Sequence, residues 1–146
     1  MTPSTTERVP AHTAAHVNQR IREQTRVNVA RFGRAGPAAI DRRLKELDEE
    51  WDIERTLEAN AAALAFAGAS LALLADRRFA VAPLAVGGFL LQHAVQGWCP
   101  PAPVFRRLGV RTQTEIDEEK AALKALRGDF RDAAGGPDRA LAAARA

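Results

Sequence analysis

The sequence predicts an all-α fold in which an antiparallel two-helix transmembrane hairpin is flanked by amphipathic cytoplasmic helices. The hairpin is predicted at 59–98, where all formal charge is confined to one short link at 76–78. The uncharged runs on either side, 59–75 and 79–98, each approach the roughly 20 residues that a helix needs to cross the hydrocarbon core of a bilayer. With 5% aromatic residues and no Tyr, the chain also has few of the large rings that dominate soluble cores.

The N-terminal part of the chain divides into two segments. Residues 1–16 are predicted to be disordered, because they combine Thr, Ser, Pro and Ala without apolar periodicity. A short basic helix and a Gly/Pro linker follow at 17–36. The linker is the run G-R-A-G-P, whose Gly and Pro residues interrupt helices.

An amphipathic juxtamembrane helix is predicted at 37–58. Pro37 is tolerated in the first turn of a helix, and charged residues occupy the faces opposite the apolar stripe. Because the spacing of the stripe is helical, its members share one face: Ile40, Leu44, Leu47 and Trp51.

The segment at 99–131 is predicted to be a Pro-rich turn followed by a C-terminal amphipathic helix. Three prolines directly after the second span cannot donate backbone hydrogen bonds and therefore end it. The helix begins near Thr114, and its apolar side chains fall on one side: Ile116, Leu123, Leu126 and Phe130. The Ala-, Gly- and Arg-rich residues 132–146 are predicted to form a flexible tail.

The distribution of basic residues predicts the orientation of the hairpin. Basic residues close to its outer ends outnumber the two in the link, and the positive-inside rule therefore places both termini in the cytoplasm. Trp51 and Trp98 lie where interfacial aromatic residues are expected. The expected location is the bacterial cytoplasmic (inner) membrane. The alternative is a soluble bundle that buries the hairpin, but such helices should carry polar residues at helical spacing.

Two faces within the predicted spans are candidates for interaction. On the first span, small residues recur at a spacing that lets helices approach closely, and they predict a helix-packing face: Ala61, Ala65, Gly68 and Ala69. On the second span, polar and small residues predict a polar intramembrane face: Gly88, Gln92, His93, Gln96 and Cys99. Such groups should face protein or water rather than lipid.

Charged residues just outside the two spans predict ion pairs across the mouth of the hairpin. Glu54 and Glu58 precede the first span, and basic residues that follow the second span could reach them: Arg106, Arg107 and Arg111. The sequence predicts no catalytic residues, no metal and no cofactor, since one Cys and three scattered His make a poor ligand set. Nor does a net charge of +3 with 18 acidic residues indicate a nucleic-acid partner.

Residues 52–112 resemble the YgaP-like transmembrane domain family, a bacterial group of small two-helix membrane domains. The resemblance rests on W-D-I-E-R-T-L at 51–57 and on G-W-C-P-P-A-P-V-F-R-R-L-G-V-R-T at 97–112. It implies a helical membrane hairpin that can self-associate. Some family members look to be joined to a rhodanese sulfurtransferase domain, but this sequence lacks a C-x(4)-R active-site loop and any α/β pattern, so that activity is not carried over.

These features together predict a small, non-enzymatic membrane protein. The expected role is that of an anchor and helix-packing module, with the lipid bilayer as its surroundings and a second copy or another membrane protein as its partner. Two alternatives remain open. One is an oligomeric channel or transporter subunit that passes a small solute along Gln92, His93 and Gln96. The other is a sulfur- or redox-related accessory protein that uses the thiol of Cys99.

Overall fold

A computed structural model describes Ser4 and residues 6–145, and over these residues the chain is 80% helical with no strand. The predicted all-α class is therefore confirmed. The helices, numbered in chain order, are α1 (Arg8–Ala11), α2 (Ala15–Ala35), α3 (Pro37–Glu49), α4 (Ile53–Leu74), α5 (Val81–Gln96), α6 (Ala102–Arg107), α7 (Gln113–Arg127) and α8 (Pro137–Arg145), with 3₁₀ turns at Arg77–Ala80 and Ala133–Gly135.

The chain forms two compact units. The first consists of the residues up to Gln19 together with Trp51–Gln113, and the second of Arg20–Glu50 together with the residues from Thr114 onward. Each unit is therefore built from two stretches that are distant in sequence.

In the first unit, α4 and α5 lie side by side and run in opposite directions. Gly68 of α4 lies against Ala82 and Pro83 near the start of α5, whereas Glu54 at the start of α4 contacts His93 near the end of α5. Helix α4 starts before the predicted span, because Asp52 caps it by accepting a hydrogen bond from the backbone N–H of Arg55 (2.9 Å). Here this helical arrangement is called the α4–α5 pair.

The break before α4 divides the segment in which the sequence predicts one helix over 37–58. Helix α3 ends at Glu49, and Glu50 has an extended backbone. The backbone N–H of Ile53 then donates to the carbonyl oxygen of Arg111 at 2.8 Å. The cap and this distant hydrogen bond together favour a new helix start, which the apolar spacing of α3 does not reveal.

The N-terminal segment also differs from the expectation of disorder up to residue 16. Residues 8–11 form α1, and α2 begins at Ala15. Val9 is buried against Ile53, Leu57, Cys99 and Ala102, so distant apolar partners supply the core that the segment itself lacks. Residues 1–3 and 5 of this predicted disordered segment lie outside the described residues.

The second unit contains an apolar core flanked by charged side chains. Its core residues come from α3 and α7: Ile40, Leu44, Leu47, Ile116 and Leu123. Glu119 of α7 is fully buried and accepts a hydrogen bond from Arg43 Nε at 2.8 Å. Most residues of the apolar faces predicted for these two helices are thus packed, although Trp51, Leu126 and Phe130 stay exposed.

The segment at 132–146, expected to be a flexible tail, contains a 3₁₀ turn and α8 up to Arg145. Ala143 on α8 is buried. The last residue of the predicted tail, Ala146, lies outside the described residues.

Candidate functional site

The most prominent surface feature of the first unit is the apolar exterior of the α4–α5 pair. Within the described part of the chain, two stretches are long and apolar enough to cross a membrane, by length and composition alone: Pro37–Leu74, which contains α3 and α4, and Arg77–Gln96. Their most apolar windows are only 11% and 6% buried in the structure. This low burial distinguishes both windows from the core helices of a soluble bundle, which are mostly buried.

The face of α4 that meets α5 contains three of the four small residues predicted to pack. Gly68 is buried, Ala61 and Ala65 are half-buried, and Ala69 is exposed. A Cβ added to Gly68 would lie 2.9 Å from both Ala82 Cβ and Pro83 Cδ. Gly68 therefore permits a close approach within the chain that a larger residue would obstruct.

The residues of the predicted polar face on α5 are not brought together. His93 is buried between the two helices and Gln92 is half-buried, whereas Gly88 and Gln96 are exposed. A Cβ added to Gly88 would meet no atom within 4 Å. His93 alone of the α5 members of this set therefore lies on the packing face of the helix.

His93 belongs to a three-residue polar cluster at one end of the α4–α5 pair. Glu54 accepts from His93 Nε2 at 2.8 Å through Oε2 and from Arg8 Nη2 at 2.9 Å through Oε1. Arg8 Nη1 also donates to the carbonyl oxygen of Ala94 at 2.7 Å. The cluster thus joins α1, α4 and α5 through a single carboxylate. Below, Arg8, Glu54 and His93 are called the mouth cluster.

The hydrogen bond from His93 is the main cause that holds the pKa of Glu54 below its ordinary value of 4.5. Partial burial acts in the opposite direction, and the positive charge of Arg8 adds to the lowering. The Glu54 carboxylate is therefore the charged form that the fold stabilises, which suits a fixed linkage between helices more than a proton donor at neutral pH.

The ion pairs predicted across the mouth have other partners in the structure. Glu54 pairs with Arg8 and His93, and Glu58 is exposed. Arg106, which is buried, donates to Asn18 Oδ1 (2.9 Å), to Thr13 Oγ1 (3.3 Å) and to the carbonyl oxygen of Val110 (3.0 Å). Arg106 therefore ties α6 to the N-terminal segment rather than to the predicted glutamates.

The other two arginines of that predicted set also differ from each other in position. Arg107 is exposed, whereas Arg111 is buried, and its backbone carbonyl accepts the hydrogen bond at the start of α4. Sequence patterns do not point to Arg8, because it lies in a segment without apolar periodicity. No pattern in the neighbouring sequence predicts the role of this arginine, because that role depends on the docking of α1.

Cys99 is buried at the edge of an apolar cavity of about 210 Å³ between α4, α5 and α6. Asn60 is the polar side chain in its lining, which otherwise consists of Leu57, Ala61, Leu64, Val86, Phe89, Leu90, Pro101 and Phe105. Burial is the main cause that raises the pKa of the Cys99 thiol above its ordinary value of 9.0. Since the thiolate is the reactive form, this position favours an inert thiol.

Among Ser4 and residues 6–145, no group of three or more His, Cys, Asp or Glu side chains could hold a metal ion. The mouth cluster contributes one imidazole and one carboxylate, fewer than the three protein ligands of a catalytic zinc site.

Comparison with protein-family models, with curated proteins and with solved structures gave no match to this chain.

Proposed function

We propose that the chain is a small integral protein of the bacterial cytoplasmic membrane in which the α4–α5 pair spans the bilayer. In this proposal the protein is not an enzyme. It anchors the helices of its second unit at the membrane and offers the outer face of the pair to a second copy or to another membrane protein.

The observation that carries the proposal is the exposure of large apolar side chains along both helices. Phe66 is 77% exposed, Leu73 and Leu74 are each 87% exposed, and Leu84 is 74% exposed. Further exposed members of this surface are Leu64, Leu71, Val81, Phe89, Leu91 and Val95. Contiguous apolar surface of this kind is rare on soluble monomers and marks contact with a membrane or a partner.

Charge around the pair supports one orientation. The connection between α4 and α5 carries Arg77 and Arg78, both exposed, whereas more basic residues flank the other end of the pair. Under the positive-inside rule, the end with the mouth cluster then faces the cytoplasm. Trp51, which is 48% exposed, stands next to the start of α4, where an interfacial aromatic residue is expected.

The way in which α4 packs on α5 supports a role in association. Gly68 contacts the start of α5 within the chain, whereas Ala69, at the edge of this face, is exposed. A second helix approaching this outer side would meet small and apolar residues, the surface on which helices pack in lipid. The resemblance of residues 52–112 to YgaP-like membrane domains supports the same proposal.

Alkaline carbonate extraction of membranes from cells that produce the full chain tests insertion. The protein should stay in the membrane pellet, and recovery in the soluble fraction as a compact monomer would overturn the proposal.

Crosslinking in the same membranes tests association. Ala69→Leu should lower the yield of crosslinked dimer, whereas Ala63→Leu, at another exposed alanine of α4, serves as the control. Equal dimer yield in the wild type and both variants would contradict a packing role for Ala69.

A further inference from the structure

The outward side of α2 concentrates the positive charge of the protein. Helix α2 contains five arginines and one glutamate, a net charge of +4 with His neutral, while the whole chain carries +3. The remainder of the chain is therefore close to neutral, and the basic character of the molecule resides on one helix.

All five of these arginines are exposed, and four of them follow Ile21: Arg22, Arg26, Arg31 and Arg34. Within the described residues, Arg26 has an exposed ion pair with Glu23 at 3.7 Å, and the other three have none. Arg31 stacks over the ring of Phe32, 5.4 Å from the ring centre. These four residues are called the α2 arginine face.

Several basic residues on other helices are paired with acidic side chains. Arg43 is paired with buried Glu119, and Arg127 binds Asp41 and Asp129. Lys120 lies 2.8 Å from Asp48. These cations stabilise the fold through acidic partners, whereas Arg22, Arg31 and Arg34 are exposed without an ion pair among the described residues, as are the scattered Arg42 and Lys45.

Small and apolar side chains lie between the arginines. Val27 is 49% exposed, and Ala30 and Ala35 lie with it in a shallow open depression bounded by Arg31 and Arg34. Arginines around short apolar side chains match a surface that presents phosphates above hydrocarbon.

The start of α2 is fixed to the unit that contains the α4–α5 pair. Asn18 accepts a hydrogen bond from Arg106 of α6, the helix that follows α5. At 1.5 Å per residue, Arg22 and Arg26 lie about 6 and about 12 Å along α2 from Asn18. Arg22 therefore follows, by about one helical turn, the residue at which α2 is bonded to α6.

We infer that the α2 arginine face binds the anionic phospholipid headgroups of the membrane that the α4–α5 pair crosses. This inference rests on the proposed function, since it takes the pair's own bilayer as the source of the phosphates. Juxtamembrane basic segments bind anionic leaflets in proportion to their basic residues, by roughly fivefold in affinity for each one near the surface. The arginines would thereby hold α2 against the cytoplasmic leaflet.

The lone cysteine of the chain allows a direct test on the full protein. Val27→Cys in a Cys99→Ser background carries one nitroxide label beside the arginine face, and the protein is reconstituted in vesicles. The vesicles contain phosphatidylcholine alone or phosphatidylcholine with one third phosphatidylglycerol. We expect collision of the label with a water-soluble nickel chelate to fall at least threefold in the anionic vesicles and to recover in 1 M salt, where screening shortens to about 3 Å.

Two charge-matched variants locate the effect. Replacing the four arginines of the face by Gln should abolish the difference between the vesicles. The second variant removes the same charge from exposed positions elsewhere, by replacing Arg42, Lys45, Arg77 and Arg78 with Gln. In this variant the difference in collision rate between the two vesicle types should remain. Equal collision rates in both vesicle types, or protection that survives the loss of the α2 arginines, would overturn the inference. Stronger protection by a short DNA duplex than by anionic vesicles would also overturn it.

Carbonate extraction of the same reconstituted samples separates the two proposals. Retained protein without lipid-dependent protection of α2 contradicts only this inference. Protein released by carbonate contradicts the proposed function, and the inference with it, because α2 then has no bilayer of its own to bind.

Discussion

Glu54 and His93 meet at 2.8 Å although 39 residues separate them in sequence. Their contact joins the first turn of α4 to the last turn of α5, and Arg8 completes it from the N-terminal segment. The imidazole is buried and the carboxylate is partly buried. The Glu54–His93 hydrogen bond therefore acts as a polar clasp that joins the ends of two predominantly apolar helices.

Removing this clasp should destabilise the first unit. Glu54→Gln replaces the charged acceptor of both Arg8 and His93, and we expect the free energy of unfolding to fall by about 1–3 kcal/mol. Thermal unfolding in detergent micelles, followed by circular dichroism, measures the loss. Glu58→Gln is the matched control, since Glu58 is exposed one turn further along α4, and an equal loss in both variants would refute the clasp.

The lowered pKa of Glu54 predicts a specific pH dependence. A carboxyl whose pKa is lower in the folded than in the unfolded state adds stability above its unfolded value, and this stability disappears as pH falls through the folded value. The contribution of Glu54 should thus be complete at neutral pH and should decline below about pH 4.5. Unfolding temperatures of wild type and Glu54→Gln should converge in that acidic range, and a constant difference down to pH 3 would contradict the assignment.

Gly68 should tolerate no side chain without a local shift. Its added Cβ would lie 2.9 Å from two atoms of the neighbouring segment, so we expect Gly68→Ala to lower the free energy of unfolding by about 1–3 kcal/mol. Gly88→Ala, in open space on α5, should be neutral or slightly stabilising, because Ala is the better helix former. Thermal unfolding of both variants in detergent compares their stabilities. A Gly68→Ala variant more stable than Gly88→Ala would contradict the close packing at Gly68.

The buried charge of Glu119 should make Arg43 indispensable to the second unit. Arg43→Met removes the 2.8 Å donor to a fully buried carboxylate whose other oxygen accepts from Asn28 Nδ2 at 3.4 Å, and loss of one member of a buried ion pair costs about 3 kcal/mol. Arg42→Met, at the adjacent exposed position, should cost less than about 0.5 kcal/mol. Chemical unfolding followed by circular dichroism compares the two, and similar losses would show that Arg43 does not balance Glu119.

Cys99 should be slow to react in the folded protein. Burial raises its thiol pKa above 9.0, so little thiolate is present at pH 8, and packing restricts access. Labelling by a maleimide at pH 8 should be at least tenfold slower in the native than in the denatured chain. Equal rates would restore the alternative in which Cys99 accepts sulfur or an oxidant.

The sequence by itself determined the elements whose signal is local. Helical spacing of apolar residues located α3 and α7, and the long uncharged runs located α4 and α5, because a face must be apolar wherever it meets a core or lipid. The small residues near Gly68 likewise predicted a close helix approach.

Only the tertiary structure decided which of these residues meet. The apolar spacing around Trp51 continues smoothly, yet Asp52 and the carbonyl of Arg111 start a new helix there. Arg8 lies in a segment without periodicity and becomes part of the mouth cluster because Val9 docks on distant apolar residues. A single sequence records the chemistry of each side chain but not the long-range contacts that select its partner. Those contacts stabilise the mouth cluster and the short helices α1 and α6, which are too short to be stable by themselves.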